Sequence, residues 1–322
     1  MNEILLSNEV LIYLLSEILL YILLFVAFLS TLGILKKWDF NLFTPRQFKL
    51  ENRSYLVISI VFFVMWLKLL LLPYFVYTID TLSTLIPGAM CGAGVIKANV
   101  YGNPLLGLKI FILFLSGVWL SINSLDLQAK NYPYMKLKSW FFMSIFFFLS
   151  VEIVLDILYF TQIETRNPVT CCSVIFGQTG GKNGLPFGLD IAKLLMLFYL
   201  TFVLLVLSIV SGKVLLRIVG SLLFGILSYY AVVYFFGTYI YELPTHQCPF
   251  CMLQDHYYYV GYPLWGLLLF GIFFSVDSAV MEYFFHEDTK IKKRIALLLL
   301  SLFVLLCSAY VLIYYLKNGV LL

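Results

Sequence analysis

The stretch that decides the fold is IALLLLSLFVLLCSAYVLIYYL, residues 295–316, which contains no charged side chain. A helix that crosses the hydrocarbon core of a bilayer needs about 20 predominantly apolar residues, and this stretch provides them. It directly follows the basic run KIKKR at 290–294, and basic residues collect in the loops on the cytoplasmic side of a membrane. The sequence therefore predicts a transmembrane helix here.

The composition of the whole chain agrees with a membrane protein. Of its 322 residues, 62% are hydrophobic and 12% are charged, and the mean hydropathy is +0.97. A soluble globular domain carries about 25% charged residues, so soluble enzymes, disordered proteins and nucleic-acid binders are excluded. The net charge of +4 reflects loops beside a bilayer, and we expect lipid, with no nucleic acid, as the partner.

Seven further stretches are long and apolar enough to span. The eight predicted spans are 10–35, 55–78, 104–122, 139–162, 188–211, 216–240, 257–282 and 295–316. Because no stretch resembles a linker or a soluble domain, we expect residues 1–322 to form a single transmembrane domain. The fold class is all-α, a polytopic membrane helix bundle of about eight helices.

The distribution of basic residues distinguishes the two faces of the bundle. Fourteen lysines and arginines, Lys138 and Arg217 among them, are assigned to one set of loops, against four in the opposite set and the C-terminal tail. Because cytoplasmic loops carry the excess of Lys and Arg, both termini are expected to lie outside. The outer loops are then 79–103, 163–187 and 241–256.

These outer loops hold five of the six cysteines. The five are Cys91, the adjacent pair Cys171 and Cys172, and Cys248 and Cys251, which form Cys-Pro-Phe-Cys between His246 and His256. The outer face of a bacterial inner membrane is oxidising, so cysteines there serve as disulfides, redox centres or metal ligands. A C-x-x-C motif often contains a thiol of lowered pKa that attacks other sulfurs.

The Cys248-Pro249-Phe250-Cys251 motif beside a helix end, with other cysteines on the same face, resembles the membrane thiol oxidoreductases of the DsbB and vitamin K epoxide reductase type. The resemblance implies that Cys248 and Cys251 are a quinone-linked pair. It also implies that Cys91, with Cys171 or Cys172, forms a second pair that exchanges with a partner protein. In hydrophobicity and helix number the chain is also similar to NosB-type membrane proteins of nitrous oxide respiration clusters.

The same cysteines fit other chemistry. Cu(I) prefers soft thiolate ligands, and zinc also accepts cysteine and histidine. Such a metal site would use these residues: Cys91, Cys171, Cys172, Cys248, Cys251 and His246. Structural disulfides between the loops are a third interpretation. Cys307, in the middle of the eighth span, is expected to be a buried small residue.

Ionisable residues within spans mark functional sites by default. Six were identified: Lys68, Lys109, Glu152, Asp156, Asp190 and Lys193. Glu152 and Asp156 are four residues apart and share one helix face, so they repel unless a cation lies between them or one is protonated. We expect these two carboxyl groups to relay protons. The alternative is that Lys109, Asp190 and Lys193 reach to the interface and that the other three form internal ion pairs.

Two further types of site are not favoured. The glycine-rich stretch at 177–183 has three residues between its glycines where a phosphate-binding loop has four. No histidine lies well within a span and no C-x-x-C-H occurs, so haem is not expected.

The patterns together predict a bacterial inner-membrane protein with its cysteine loops facing the periplasm. The leading hypothesis is a thiol–disulfide oxidoreductase that exchanges electrons between the outer cysteines and a membrane carrier, such as a quinone, or a periplasmic thiol protein. Two alternatives stay open. One is transport of a soft metal or its delivery to a periplasmic metalloprotein. The other is a membrane subunit of a respiratory or assembly complex with structural disulfides.

Overall fold

The structure is a computed structural model that describes residues 3–38, 44–129, 132–165, 167–169 and 189–322. Throughout these ranges the regular structure is helical. Eight of the helices are long and apolar enough to cross a membrane, which confirms the predicted all-α, multi-pass bundle.

Each predicted span overlaps one of the long helices. In chain order the α-helices are α1 (Asn8–Lys37), α2 (Pro45–Thr81), α3 (Gly92–Ile96), α4 (Gly102–Gln128), α5 (Met135–Thr161), α6 (Ile191–Ser211), α7 (Val214–Ala231), α8 (Gly237–Tyr241), α9 (Gly261–Phe285) and α10 (Lys290–Asn318). A π-helical turn, Val232–Phe236, joins α7 to α8. Helix α2 starts before its apolar stretch because Thr44 accepts a hydrogen bond from the backbone N–H of Gln47 (3.3 Å) and Pro45 occupies the first turn.

The contacts divide the chain into two compact units. Unit 1 comprises Met1–Pro87 and Val95–Val169 and contains α1, α2, α4 and α5. These helices form a four-helix bundle in which α1 packs against α2 and α5, and α4 packs against the same two helices. Its apolar core includes Leu24, Val64, Trp119 and Ile145, all buried.

Unit 2 comprises Gly88–Gly94 and Thr170–Leu322. In it α6 packs against α7, α7 against α9, and α9 against α10. The rings of Phe224, Phe236 and Phe303 surround that of Phe198, with centroids 5.2–6.3 Å away. Gly212, at φ +73°, ends α6 in the left-handed region that favours glycine and allows α7 to begin almost at once. The single domain expected over 1–322 stays a prediction, since two compact units can belong to one membrane domain.

Large apolar side chains cover the outside of the helices, as contact with lipid requires. Leu15, Phe63, Trp140, Val210 and Leu305 are examples, each more than half exposed in the isolated chain. Several polar and charged side chains face inward instead. This is the arrangement expected when the solvent around the bundle is hydrocarbon.

Two basic residues that we counted in loops lie inside the units. Lys138 is buried in α5, with its Nζ 2.6 Å from Oδ2 of Asp126 on α4. Arg217 is buried in α7 and donates hydrogen bonds to Ser278 (3.2 Å) and Glu282 (2.6 Å) on α9. Because a carboxylate on the neighbouring helix balances each charge, both side chains are held within the bundle.

Candidate functional site

Three cysteines come together in unit 2. The sulfurs of Cys91, Cys248 and Cys251 all lie within 4.8 Å of one another, and those of Cys91 and Cys248 are 3.4 Å apart. The residues are 0%, 1% and 5% exposed. We call these three residues the sulfur group. It brings the C-x-x-C motif into contact with a cysteine from a distant loop.

The C-x-x-C turn is held at both ends by aromatic side chains. The hydroxyl of Tyr241, the last residue of α8, donates to the carbonyl of Cys248 and accepts from the backbone N–H of Met252 at 3.1 Å. The indole N–H of Trp265 on α9 donates to the carbonyl of Pro249 at 3.2 Å. These bonds hold the backbone of the turn from Cys248 to Met252 in place.

Cys91 is brought to the turn by its own short loop. Gly88, at φ +80°, reverses the chain in a conformation that favours glycine. The side-chain amide of Gln254 donates to the carbonyl of Met90 at 3.1 Å, which fastens the Cys91 loop to the segment after the C-x-x-C motif.

Helix α9 packs closely against the residue after the motif. Gly261, at the start of α9, lies so near Met252 that a Cβ atom on Gly261 would be 2.7 Å from Cγ of Met252.

Cys248 makes the contacts that the structure defines most closely within the sulfur group. No disulfide joins two of the described cysteines, and the 3.4 Å between Cys91 and Cys248 is a contact between thiols. The backbone N–H of Phe250 donates to Sγ of Cys248 at 3.4 Å. Burial, and the neighbouring Cys251 and Cys248, raise the pKa of the Tyr257 phenol, which therefore stays neutral.

The other residues predicted for this site lie apart from the sulfurs or outside the described ranges. Cys171 and Cys172, with the glycine-rich stretch, lie outside the described residues. The ring of His246 packs on Tyr241 with centroids 4.2 Å apart and does not belong to the close group of three ligand atoms. His256 is exposed beside Asp255. Cys307 is fully buried in α10, as expected.

A second cluster of functional groups occupies the interior of unit 1. Its members come from all four helices of the bundle: Tyr13 and Glu17 on α1, Lys68 on α2, Lys109 on α4, and Glu152 and Asp156 on α5. We call these six residues the ion-pair cluster. The side chains of its five charged members are at most 9% exposed.

Lysines separate the carboxylates within the cluster. Nζ of Lys109 lies 2.8 Å from Oε1 of Glu152 and 2.8 Å from Oδ2 of Asp156. Nζ of Lys68 lies 2.8 Å from Glu152 and 2.6 Å from Glu17. Repulsion between Glu152 and Asp156 predicts either a cation between their carboxylates or a proton on one of them. Nζ of Lys109 occupies the position of that cation.

Two members of the cluster were missed in the sequence. Glu17 is the one carboxylate in the first predicted span. By the rule used for the other ionisable residues within spans, it was a candidate functional residue. Tyr13, four residues earlier, shares its helix face and its hydroxyl donates to Glu17 at 3.1 Å. A tyrosine in an apolar helix is usually part of the packing or of an interfacial belt, so no sequence signal distinguished Tyr13.

Asp190 and Lys193 behave differently from the other four predicted ionisable residues. Both are exposed, and Asp190 caps α6 by accepting from the backbone N–H of Ile191 at 2.9 Å. Their exposure fits the interfacial alternative. Lys109, by contrast, is 5% exposed and does not reach to an interface.

Of the two clusters, only the sulfur group offers ligands that are open to a metal. Three convergent sulfurs suit a soft ion such as Cu(I). In the ion-pair cluster the carboxylates also lie close together, but the ammonium groups of Lys68 and Lys109 already occupy the positions between them. Those lysines would repel a metal cation.

Comparison of the chain with protein-family models, with curated proteins and with solved structures finds no match. The class of the protein is therefore defined by its own fold and sites: a multi-pass helical membrane protein with a buried sulfur group in one unit and a buried ion-pair cluster in the other.

Proposed function

We propose that the protein is an integral membrane thiol–disulfide oxidoreductase whose reacting groups are Cys91, Cys248 and Cys251. The observation that carries this proposal is the mutual approach of their sulfurs to within 4.8 Å. Thiol–disulfide exchange requires a thiolate to reach a sulfur atom directly. Because Cys248 has a sulfur neighbour in each of two separate segments, an S–S bond can form on either side of it.

The chemistry is a two-electron exchange. Oxidation of Cys248 and Cys251 forms one S–S bond and releases two protons and two electrons. A membrane quinone accepts both and becomes a quinol. Attack of the Cys91 thiolate on the sulfur of Cys248 then moves the bond to Cys91–Cys248 and releases Cys251 as a thiolate.

The burial of the sulfurs supports a small carrier as the direct electron acceptor. At 0–5% exposure the three residues offer little surface to the thiol of a folded protein. A periplasmic partner would then exchange electrons through the loop cysteines, with Cys171 and Cys172 as the candidates. We place the group at the outer face of a bacterial inner membrane on the basis of the charges of the loops.

The test uses the full-length protein with Cys171, Cys172 and Cys307 replaced by serine, so that only the sulfur group remains. The reduced protein is mixed anaerobically with a short-chain quinone, quenched in acid and alkylated with a mass-shifting maleimide. We expect two of the three thiols to be lost and one quinol to form per protein. Three thiols that remain alkylatable at excess quinone would contradict the proposal.

A second candidate function is the handling of a soft metal, and the convergence of three sulfurs favours it too. Anaerobic titration of the same three-cysteine protein with Cu(I), against a chromogenic Cu(I) chelator, tests it. Retention of one equivalent of Cu(I), lost in Cys248→Ser, would support metal handling. Complete transfer of the copper to the chelator would exclude it.

A further inference from the structure

We propose that the ion-pair cluster of unit 1 is a proton-binding site that holds one exchangeable proton on Asp156. This deepens the relay expected for Glu152 and Asp156. It does not rest on the proposed thiol chemistry, because no cysteine takes part in it. The inference stands on the charge balance of the cluster, its burial and the paths of its hydrogen bonds.

The charges of the cluster do not balance. Three carboxyl groups, those of Glu17, Glu152 and Asp156, face two ammonium groups, those of Lys68 and Lys109. With every group ionised, one negative charge is left inside an apolar bundle. An uncompensated buried charge is strongly unfavourable, so the cluster takes up one positive charge.

That charge is a proton. A metal ion would compete with the two ammonium groups for the same carboxylate oxygens, which they contact at 2.6–2.8 Å. The cavity that the cluster lines has a volume of about 20 Å³, which is room for one water molecule. A proton needs no such space and no rearrangement of the lysines.

Asp156 is the carboxyl group that holds the proton. Glu152 contacts both lysines at 2.8 Å, and Glu17 contacts Lys68 at 2.6 Å and Lys109 at 3.8 Å. Asp156 has only Lys109 as a cationic contact, and its side chain is fully buried. It therefore has the least electrostatic stabilisation as an anion and the greatest loss of hydration.

A route for exchange leads from Asp156 through Tyr13. The hydroxyl oxygen of Tyr13 lies 3.2 Å from Oδ1 of Asp156 and 3.1 Å from Oε1 of Glu17. When Asp156 gives its proton to the Tyr13 oxygen, the original hydroxyl proton passes to Glu17, and the tyrosine is neutral before and after. Glu17 lines the water-sized cavity, whereas Asp156 is absent from its wall. A water molecule in this cavity would take the proton onward.

Each helix packed around Asp156 presents its polar groups to this site. Helix α1 contributes Tyr13 and Glu17, α2 contributes Lys68, α4 contributes Lys109, and α5 contributes Glu152. Tyr159, on the next turn of α5, is engaged elsewhere, because its hydroxyl donates to the carbonyl of Val95 at 3.0 Å. No further cation among the described residues shares these hydrogen bonds and ion pairs.

The test is infrared spectroscopy of the full-length protein in lipid nanodiscs, with aspartate labelled by carbon-13 at its side-chain carboxyl group. At neutral pH we expect a protonated-carboxyl stretching band that shifts with the label. The band should be lost in Asp156→Asn and kept in Asp190→Asn, the matched control at an exposed helix cap. Absence of a label-shifted band in the unmutated protein, or its persistence in Asp156→Asn, would overturn the proposal.

Two further variants test the charge balance and the route even if Asp156→Asn does not fold. Glu17→Gln leaves two carboxylates for two lysines, so the labelled band should disappear; a retained band overturns the charge argument. Tyr13→Phe should keep the band but slow its exchange with deuterium by at least about tenfold, a barrier increase of about 1.4 kcal/mol. Unchanged exchange in Tyr13→Phe would overturn the route.

Discussion

Cys91 and Cys248 are 157 residues apart in the chain, yet their sulfurs lie 3.4 Å from each other. Neither the loop around Gly88 nor the C-x-x-C turn alone produces this approach. The hydrogen bond from Gln254 to the carbonyl of Met90 connects the Cys91 loop to the segment that follows the C-x-x-C motif. The contact places a sulfur from each of the two segments side by side.

Replacement of the central sulfur should abolish quinone reduction. Cys248→Ser removes the sulfur that takes part in both proposed S–S bonds, Cys248–Cys251 and Cys91–Cys248. We expect no quinol formation above background, measured by the absorbance change of a short-chain quinone. Cys307→Ser is the matched control because Cys307 is also fully buried but lies in α10. Full activity of Cys248→Ser would refute the central role of this residue.

Removal of the Tyr241 hydroxyl should loosen the C-x-x-C turn. Tyr241→Phe keeps the ring but loses the bonds to the Cys248 carbonyl and the Met252 N–H. Each lost hydrogen bond costs about 0.5–1.5 kcal/mol, so Cys248 and Cys251 should react faster with a maleimide. Tyr258→Phe, at a 92% exposed tyrosine, is the control. Equal alkylation rates in both variants would show that Tyr241 does not hold the turn.

A methyl group on Gly261 should disturb the same turn from the side of α9. Its carbon would lie 2.7 Å from side-chain atoms of Met252 and Leu253, and overpacking of this kind costs about 1–3 kcal/mol. Gly261→Ala should therefore lower the midpoint of thermal unfolding in detergent and alter the reactivity of Cys251. Gly266→Ala, with nothing near the added carbon, should do neither. A Gly261→Ala protein that matches Gly266→Ala in both assays would contradict this packing.

Loss of Lys109 should destabilise unit 1 strongly. Its ammonium group contacts both Glu152 and Asp156, and removing one partner of a buried ion pair costs about 3–5 kcal/mol. Lys109→Met should lower the unfolding midpoint strongly, and Lys193→Met, at an exposed lysine, should not. An additional Glu17→Gln substitution should recover part of the loss because it removes one of the unbalanced carboxylates. A Lys109→Met protein as stable as Lys193→Met would contradict the ion-pair cluster.

The spans could be predicted from the sequence because hydrocarbon imposes a simple length and composition on each helix. The C-x-x-C motif was likewise visible as a local pattern. The contact between the sulfurs of Cys91 and Cys248 could not be deduced, because loop conformation and cysteine connectivity depend on long-range packing. The sequence also offered His246 as an equal candidate ligand, and only the packing of its ring on Tyr241 sets it apart.

The partners of the charged residues, like those of the cysteines, could not be predicted from the sequence. The shared face of Glu152 and Asp156 followed from helical spacing, and the need for a cation between them followed from repulsion. Which lysine fills that place depends on helix packing, which spacing within one helix does not reveal. Lys138 and Arg217 were assigned to loops because they border apolar stretches, whereas partners on neighbouring helices hold both inside.

The most direct test of the central claim is acid-trapped alkylation of the protein in intact cells, with a mass-shifting maleimide applied before and after reduction. Peptide mass spectrometry then assigns the state of Cys91, Cys248 and Cys251. The redox account predicts a mixture of dithiol and disulfide within this group, and the ratio should shift when respiration is blocked. Thiols that are all reduced, and that stay unreactive until a copper chelator is added, would contradict the redox account and assign the group to a metal.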